Sequence, residues 1–265
     1  VEEEETGYRN DSKNFYVILG NGAAGFQAAK AIRERDKTGS VVIISNEPYP
    51  TYNRPMLTKS MVAGLSAEQI AVEDTSWYEE NQIYQLLGKE VTQIDTKEKE
   101  VKFAEGEGIK YTKLIYALGS ECFIPPIAGK EKPEVIAVRR LSDVQKIEKM
   151  LPKVKNAVVI GGGVLGLEAA WELKKAQCNV TVLEVGAKLM GRQLDDTASD
   201  MLKAISAANG IVIQTGVQVA SIEGDDHVTG VKLGNGETIL ADLVIVSAGV
   251  RANTTIAKKA GIEVD

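Results

Sequence analysis

The sequence predicts an α/β fold built from two β-α-β units, and three observations lead to that prediction. A glycine motif stands between the β-branched run at 157–160 and a helix-forming segment, and a second apolar strand then ends at Glu184. The same order of strand, glycines, helix and strand occurs near the N-terminus, between Phe15 and Glu47. At 265 residues the chain can hold two ordinary domains, each with its own core. Matching context at both sites favours two true motifs over one motif and one unrelated glycine-rich turn.

Each glycine of the second motif has a physical reason. Gly161 allows a sharp turn after the strand, Gly163 allows the backbone to approach a pyrophosphate, and Gly166 allows close packing of helix on strand. The diphosphate would lie at the helix N-terminus, where free N–H groups and the helix dipole favour negative charge. Glu184 stands near the spacing of about 20 residues expected for the acid that binds a ribose 2′-hydroxyl.

The first motif repeats this arrangement. Gly20, Gly22 and Gly25 follow the strand 15–19, and Glu47 ends the unit. Two such units predict two bound dinucleotides. Two dinucleotides on one chain suggest that hydride passes between them.

Composition and charge exclude several other classes. The net charge of −6 disfavours nucleic acid and anionic membrane surfaces as partners, and no apolar run is long enough to span a bilayer. Cys122 and Cys178 lie far apart without CxxC spacing, so neither a disulfide framework nor a thiolate metal site is expected, and a cytoplasmic location fits. His227, in a polar turn, is interpreted as a solvated loop residue rather than a ligand or base.

The remaining segments predict how the domains are organised. Residues 1–13 are interpreted as a flexible acidic lead-in. The proline-rich segment 47–64 is either a surface loop or a loop that faces a cofactor. The Pro/Gly-rich segment 123–133 is the expected domain boundary. The other elements expected are a helix over 67–87, an antiparallel meander over 89–113, a strand in 114–120 that ends in a turn at Gly119, a helix over 142–151 capped by Ser142, a helix over 195–208, and a strand in 240–250 that returns the chain to the first domain and ends at Gly249.

Five motifs, GNGAAG, YNRPMLTK, LIYALGS, GGGVLGLEAA and LVIVSAGVRAN, occur in this order. In these motifs the chain resembles the pyridine nucleotide–disulfide oxidoreductase superfamily over residues 14–265. Within it the chain resembles the single-flavin branch of rubredoxin reductases, ferredoxin reductases of oxygenase systems and the NADH-binding part of assimilatory nitrite reductases. The resemblance implies two Rossmann-like three-layer domains. An FAD-binding domain of residues 14–122 and 242–265 would be interrupted by an NAD(P)H-binding domain of residues 123–241.

The resemblance also implies roles for single residues. Arg54 and Pro55 would border the flavin, Lys59 would lie near its N5 atom, and Glu168 would pair with Lys59. An alternative for Glu168 is a first-turn carboxylate that only favours the helix dipole. The cofactor-binding positions are Gly20, Gly22, Gly25, Glu47, Arg54, Pro55, Lys59 and Gly119 for FAD, and Gly161, Gly163, Gly166, Glu184 and Gly249 for the rest of the site.

The leading functional prediction is an FAD-dependent oxidoreductase that passes electrons from NAD(P)H to an iron–sulfur, rubredoxin-like or nitrite-reductase-type acceptor. Glu184 favours NADH over NADPH, although Lys188 and Arg192 could favour the 2′-phosphate. The alternatives are an NADH oxidase that uses oxygen directly and a nucleotide-binding module with little turnover. A thiol–disulfide reductase is disfavoured, because the loop NRPMLTKSM has no cysteine.

The resemblance implies one further expectation. The sequence stops at Asp265, where the family continues into another FAD-contacting strand. An incomplete FAD domain would leave an exposed sheet edge beside the strand in 240–250 and would bind FAD weakly.

Overall fold

The computed structural model describes residues 13–265 and divides them between two units. The first unit contains the chain up to residue 53 and residues 67–121 and 252–265, and the second contains residues 54–66 and 122–251. The second unit is therefore inserted into the sequence of the first, at two places. The acidic lead-in lies outside the described residues except for Lys13.

The helices and strands occur in the following order along the chain. Up to residue 122 they are β1 (Phe15–Leu19), α1 (Ala23–Arg35), β2 (Ser40–Ile44), α2 (Met56–Lys59), a 3₁₀ turn (Glu68–Ile70), α3 (Thr75–Glu80), β3 (Ile83–Leu86), β4 (Val91–Asp95), β5 (Glu100–Phe103), β6 (Ile109–Lys110), β7 (Lys113–Tyr116) and β8 (Ser120–Cys122). They continue with β9 (Val135–Ile136), α4 (Leu141–Met150), a 3₁₀ turn (Leu151–Lys153), β10 (Asn156–Ile160), α5 (Val164–Lys175), β11 (Asn179–Glu184), α6 (Asp196–Ala208), β12 (Ile211–Thr215), β13 (Val219–Glu223), β14 (Gly230–Leu233), β15 (Thr238–Leu240), β16 (Leu243–Val246), β17 (Val250–Ala252) and α7 (Thr255–Lys259).

The first unit has three layers around a parallel sheet with the strand order β3-β2-β1-β7. Successive side chains of a strand point to opposite faces, so β1 supplies both cores. Val17 and Leu19 pack against the meander β4-β5-β6, whereas Ile18 packs with Phe26 of α1 and Tyr78 of α3. Helices cover one face of the sheet and the antiparallel meander covers the other.

The second unit repeats this architecture with a parallel sheet in the order β12-β11-β10-β16-β9. On one face, Val158 and Val244 pack against the antiparallel sheet β13-β14-β15 through residues such as Val231. On the other side, α5 contacts β10 and β11 and buries Ala170 and Leu173. Both units are therefore of the predicted α/β class.

Strand β16 corrects the predicted return of the chain to the first domain at residue 242. Leu243–Val246 pairs with β10 on one side and β9 on the other, so it is an interior strand of the second unit. The sequence echo between 114–120 and 240–250 reflects a repeat: β7 pairs with β1 in the first unit as β16 pairs with β10 in the second. The prediction of an exposed sheet edge beside this strand is therefore wrong.

Two helix predictions are also corrected. Residues 67–87 do not form one helix, because α3 ends at Glu80, Gln82 has a φ of +50°, and β3 then adds a parallel strand beside β2. The helix expected from Ser142 begins at Leu141. Asp143 caps it by accepting the backbone N–H of Arg140 at 2.8 Å, which leaves no capping role for Ser142.

Three further predictions concern a membrane span, one helix and the antiparallel meander. No helix within residues 13–265 is long and apolar enough to cross a membrane. The helix expected over 195–208 is present as α6, and the meander expected over 89–113 is present as β4-β5-β6.

Candidate functional site

The second glycine motif forms a tight turn between β10 and α5. Gly161 has a φ of +120°, and a Cβ added there would lie 2.1 Å from the carbonyl oxygen of Ser247. A Cβ on Gly166 would lie 2.0 Å from the carbonyl oxygen of Gly161, so helix and turn touch backbone to backbone. A Cβ on Gly163, by contrast, would meet no atom within 4 Å. Gly161 and Gly166 are therefore required by the fold, whereas Gly163 leaves open space at the start of α5.

That open space belongs to a cavity of 1350 Å³ within the second unit. Gly161, Gly163, Glu184, Lys188 and Gly249 all line it. The cavity exceeds the range of about 300–1,000 Å³ usual for small-ligand pockets, which suits an extended ligand such as a dinucleotide. No side chain within the described chain caps α5 at Gly163, so the first N–H groups of the helix are available to an anion.

Glu184, the last residue of β11, is held by two backbone amides. Its Oε2 atom accepts the N–H of Gly162 and its Oε1 atom accepts the N–H of Gly186, both at 2.6 Å. The carboxylate is therefore fixed beside the glycine turn. Each oxygen keeps a lone pair with which it could accept a ribose hydroxyl.

The first glycine motif has the same geometry in the first unit. Gly20 has a φ of +105°, and a Cβ there would lie 2.1 Å from the carbonyl oxygen of Ala117. A Cβ on Gly25 would lie 1.9 Å from the carbonyl oxygen of Gly20, whereas a Cβ on Gly22 would meet nothing within 4 Å. Ala117, which follows β7, therefore lies against the first glycine turn. Ser247, which follows β16, lies in the same position against the second.

A buried polar network around Asn21 was not predicted from the sequence. The Asn21 amide nitrogen donates to the carbonyl oxygen of Tyr49 at 3.2 Å and to Oε1 of Gln85 at 3.3 Å. Its amide oxygen accepts the hydroxyl of Thr51, which is fully buried. These bonds tie the first glycine turn to the segment that follows β2. An asparagine within a glycine motif was the only available signal in the sequence.

Glu47, the predicted ribose-binding acid of the first unit, is buried with a relative exposure of 9%. Its Oε2 atom accepts the phenol hydroxyl of Tyr52 at 2.6 Å. Its backbone N–H donates to the Ser45 hydroxyl oxygen at 3.1 Å. Glu47 lies beyond the end of β2, whereas Glu184 is itself a strand residue, so the two acids differ in their setting.

The segment 54–66, whose sequence interrupts the first unit, is fastened to the second unit. Arg54 donates from Nη1 to the carbonyl oxygen of Arg139 at 2.7 Å, and the backbone N–H of Gly64 donates to Oε1 of Glu148 at 2.7 Å. Pro55 stands at the N-cap of the short helix α2, where its missing N–H costs nothing. Arg54 and Pro55 are thus held with the second unit rather than with the first glycine turn.

The predicted ion pair between Lys59 and Glu168 is not formed. The Glu168 carboxylate instead accepts the hydroxyl of Thr58 at 2.6 Å, and no ion pair in the described part of the chain joins it to Lys59 within 4 Å. Consecutive residues of a helix point about 100° apart, and in α2 it is Thr58 that faces Glu168. Thr58 is buried and lines the cavity, and Lys59 is exposed.

The remaining predicted positions serve as local connections. The carbonyl oxygens of Gly119 and Gly249 accept the N–H groups of Asn253 and Phe123, each at 2.9 Å. Neither cysteine forms a disulfide within residues 13–265, and burial raises the pKa of the Cys178 thiol. His227 is exposed, as interpreted, although its Nδ1 atom lies 2.6 Å from Glu134. Residues 13–265 contain no cluster of side chains that could hold a metal ion.

Comparison with known proteins gives one family match over nearly the whole chain. Residues 15–265 match the pyridine nucleotide-disulphide oxidoreductase family. The nitrite reductase [NAD(P)H] of Bacillus subtilis (strain 168) is 38% identical over 255 residues, which are 96% of this chain and 32% of that protein. The rubredoxin-NAD(+) reductase of Pseudomonas putida is 33% identical, with 94% of this chain and 65% of that protein covered.

The solved structures give the same result. The ferredoxin reductase for the CYP199A2 system from Rhodopseudomonas palustris superposes with a TM-score of 0.91 at 29% identity, and the match covers 96% of this chain and 63% of that one. The chain thus spans about a third of the nitrite reductase and just under two thirds of the two reductases.

Proposed function

Because the chain belongs to the pyridine nucleotide-disulphide oxidoreductase family, we propose that it carries electrons from NADH, through FAD, to an electron-accepting protein or domain. The observation that supports this proposal most is the repeated glycine turn. Each unit has one, and each turn leads into a helix whose first N–H groups no side chain of residues 13–265 caps. One dinucleotide can therefore bind to each unit of the same chain.

The described residues fit both cofactors. Gly20, Gly22 and Gly25 would hold the FAD diphosphate at the start of α1, as Gly161, Gly163 and Gly166 would hold that of NADH at the start of α5. The open space over Gly22 and Gly163 is what the close approach of a pyrophosphate to the backbone requires. Glu184, fixed by two amides, would accept from the adenosine ribose of NADH, and Glu47 would do so for FAD.

The chemistry of the cofactors needs no acid or base from the chain. FAD held at the first glycine turn would supply the redox chemistry, namely acceptance of a hydride from NADH and release of its two electrons singly to a one-electron acceptor. The chain would contribute binding and orientation, which supply most of the rate enhancement in such a reaction. Thr58, which lines the cavity, donates to the Glu168 carboxylate, and the Lys59 ammonium is our candidate for the cation beside the flavin.

An iron–sulfur, rubredoxin-like or nitrite-reductase-type group is the proposed acceptor. The relatives include, by name, a nitrite reductase [NAD(P)H], a rubredoxin-NAD(+) reductase and a ferredoxin reductase, and the first two names contain a pyridine nucleotide. We infer a reducing cellular compartment from the two cysteines, which are not joined by a disulfide in the described residues.

Electron delivery tests this proposal. Full-length protein, supplied with FAD and NADH, should reduce an added ferredoxin or rubredoxin under anaerobic conditions faster than the reduction seen without the protein. In air, adding the carrier should increase NADH consumption. NADH consumption that depends on oxygen and is not accelerated by any carrier would instead identify an oxidase, and the absence of any NADH consumption would leave a nucleotide-binding module.

A further inference from the structure

A charged pair stands in the wall of the second unit's cavity, beyond the fixed carboxylate of Glu184. Nζ of Lys188 lies 2.7 Å from Oδ1 of Asp196, the first residue of α6. Lys188 follows Glu184 by four residues, and Glu184, Lys188 and Asp196 all line the same cavity. Together with Arg192, which also lines the cavity, the three side chains set the charge at the end of the cavity where β11 ends.

The charges of these groups have opposite effects on an anionic ligand. Glu184 accepts two backbone N–H groups and so stays in place as a negative charge. Lys188 is a cation that could receive a phosphate. Asp196 neutralises it, and the hydrogen bond from Lys188 holds the pKa of the Asp196 carboxyl below its usual value, so the carboxylate is charged at neutral pH.

We propose that Asp196 is a specificity-determining residue, which lowers the affinity of the second unit for nucleotides with a 2′-phosphate on the adenosine ribose by pairing with Lys188. This inference rests on the proposed function, since it assigns the cavity to the adenosine half of NADH. Glu184 would select for a free 2′-hydroxyl directly. Asp196 would act through Lys188, because the ion pair between them makes the lysine's positive charge less available to a 2′-phosphate.

The exposure of the pair sets the size of the effect. The Lys188 side chain is 32% exposed and that of Asp196 is 91% exposed. Exposed ion pairs are weak and are screened by salt, so loss of the Asp196 charge should change the affinity for a 2′-phosphate by about two- to five-fold. Low ionic strength should enlarge the effect.

Binding of nucleotide fragments to the full-length protein tests the inference without any turnover. The probes are 2′,5′-ADP, which carries the 2′-phosphate, and 5′-AMP, which lacks it, each titrated by calorimetry. The variant is Asp196→Asn, and the matched control is Asp200→Asn. Asp200 lies one turn along α6, is exposed and does not line the cavity, so the control removes the same charge elsewhere on the helix.

We expect Asp196→Asn to strengthen 2′,5′-ADP binding about two- to five-fold and to leave 5′-AMP binding unchanged, with no gain for Asp200→Asn. In a Lys188→Met background, Asp196→Asn should give no gain, because the cation is absent. An equal gain in that background, or an equal gain for Asp200→Asn, would overturn the role of the pair, as would no gain at all. If wild-type protein bound neither NADH nor 5′-AMP, the proposed function itself would fail.

Discussion

Thr58 donates its hydroxyl to the Glu168 carboxylate, and its side chain is buried within the second unit. Thr58→Val keeps the shape of the side chain and removes the donor. Leaving a partly buried carboxylate without a hydrogen-bond donor costs about 1–3 kcal/mol of stability. The free energy of unfolding, measured by urea titration, should therefore fall by that amount. Thr58→Ser keeps a hydroxyl and should retain most of the stability. Equal free energies of unfolding for Thr58→Val and the wild-type protein would show that this hydrogen bond does not stabilise the fold.

Lys59, the neighbour of Thr58, should behave in the opposite way. Its side chain is exposed, so Lys59→Met should change the free energy of unfolding by less than about 0.5 kcal/mol. If Lys59 supplies a cation beside the reduced flavin, the same variant should make the flavin reduction potential more negative and slow reduction by NADH. Spectroelectrochemistry measures the potential directly. An unchanged potential and rate would return Lys59 to the ordinary surface lysines.

At the scale of elements, the glycine turns separate residues required by the fold from residues that leave room for a ligand. Gly166 and Gly163 lie three positions apart in the same motif. A Cβ on Gly166 would press on the Gly161 carbonyl at 2.0 Å, whereas a Cβ on Gly163 would meet nothing within 4 Å.

Gly166→Ala should therefore destabilise the second unit by about 1–3 kcal/mol or more, since helix and turn must move apart. Gly163→Ala should leave the unfolding curve nearly unchanged and weaken NADH binding, because its methyl group would fill the space that the pyrophosphate needs. Urea unfolding and NADH titration of both variants check this contrast. Similar stability losses in the two variants would refute it.

The elements also show what the sequence could and could not predict. Both glycine turns, the helices after them and the meander were predictable, because glycine spacing and apolar periodicity are local signals. The partner of β16 was not, since the strands in 114–120 and 240–250 look alike and each pairs within its own unit. The Thr58–Glu168 bond and the Asn21 network join residues distant in sequence, which no local pattern reveals.

At the scale of the whole molecule, acid should lower stability, partly through Asp36 in the first unit. The Asp36 carboxylate accepts the backbone N–H of Gly39 at 2.7 Å and the side-chain amide N–H of Asn14 at 2.8 Å. These two hydrogen bonds hold the pKa of Asp36 well below its usual value. A depressed folded-state pKa gives stability that is present above the unfolded value of about 3.9 and is lost as the pH falls toward the folded value.

The free energy of unfolding should therefore decrease from about pH 5 downward, and Asp36→Asn should make this decrease shallower. Urea titrations at a series of pH values measure the slope. Asp225→Asn, an exposed loop substitution, is the control for loss of one negative charge. The same acid slope in wild-type and Asp36→Asn proteins would exclude Asp36 as a cause.

We propose that one chain binds two dinucleotides and passes electrons between them. An anaerobic titration of the FAD-loaded protein with NADH, followed by the absorption of the oxidised flavin, tests this proposal. About one equivalent of NADH should bleach that absorption, and Gly163→Ala should require a higher NADH concentration for the same rate of bleaching. A bound flavin that stays oxidised in the presence of NADH would exclude electron transfer between the two cofactors.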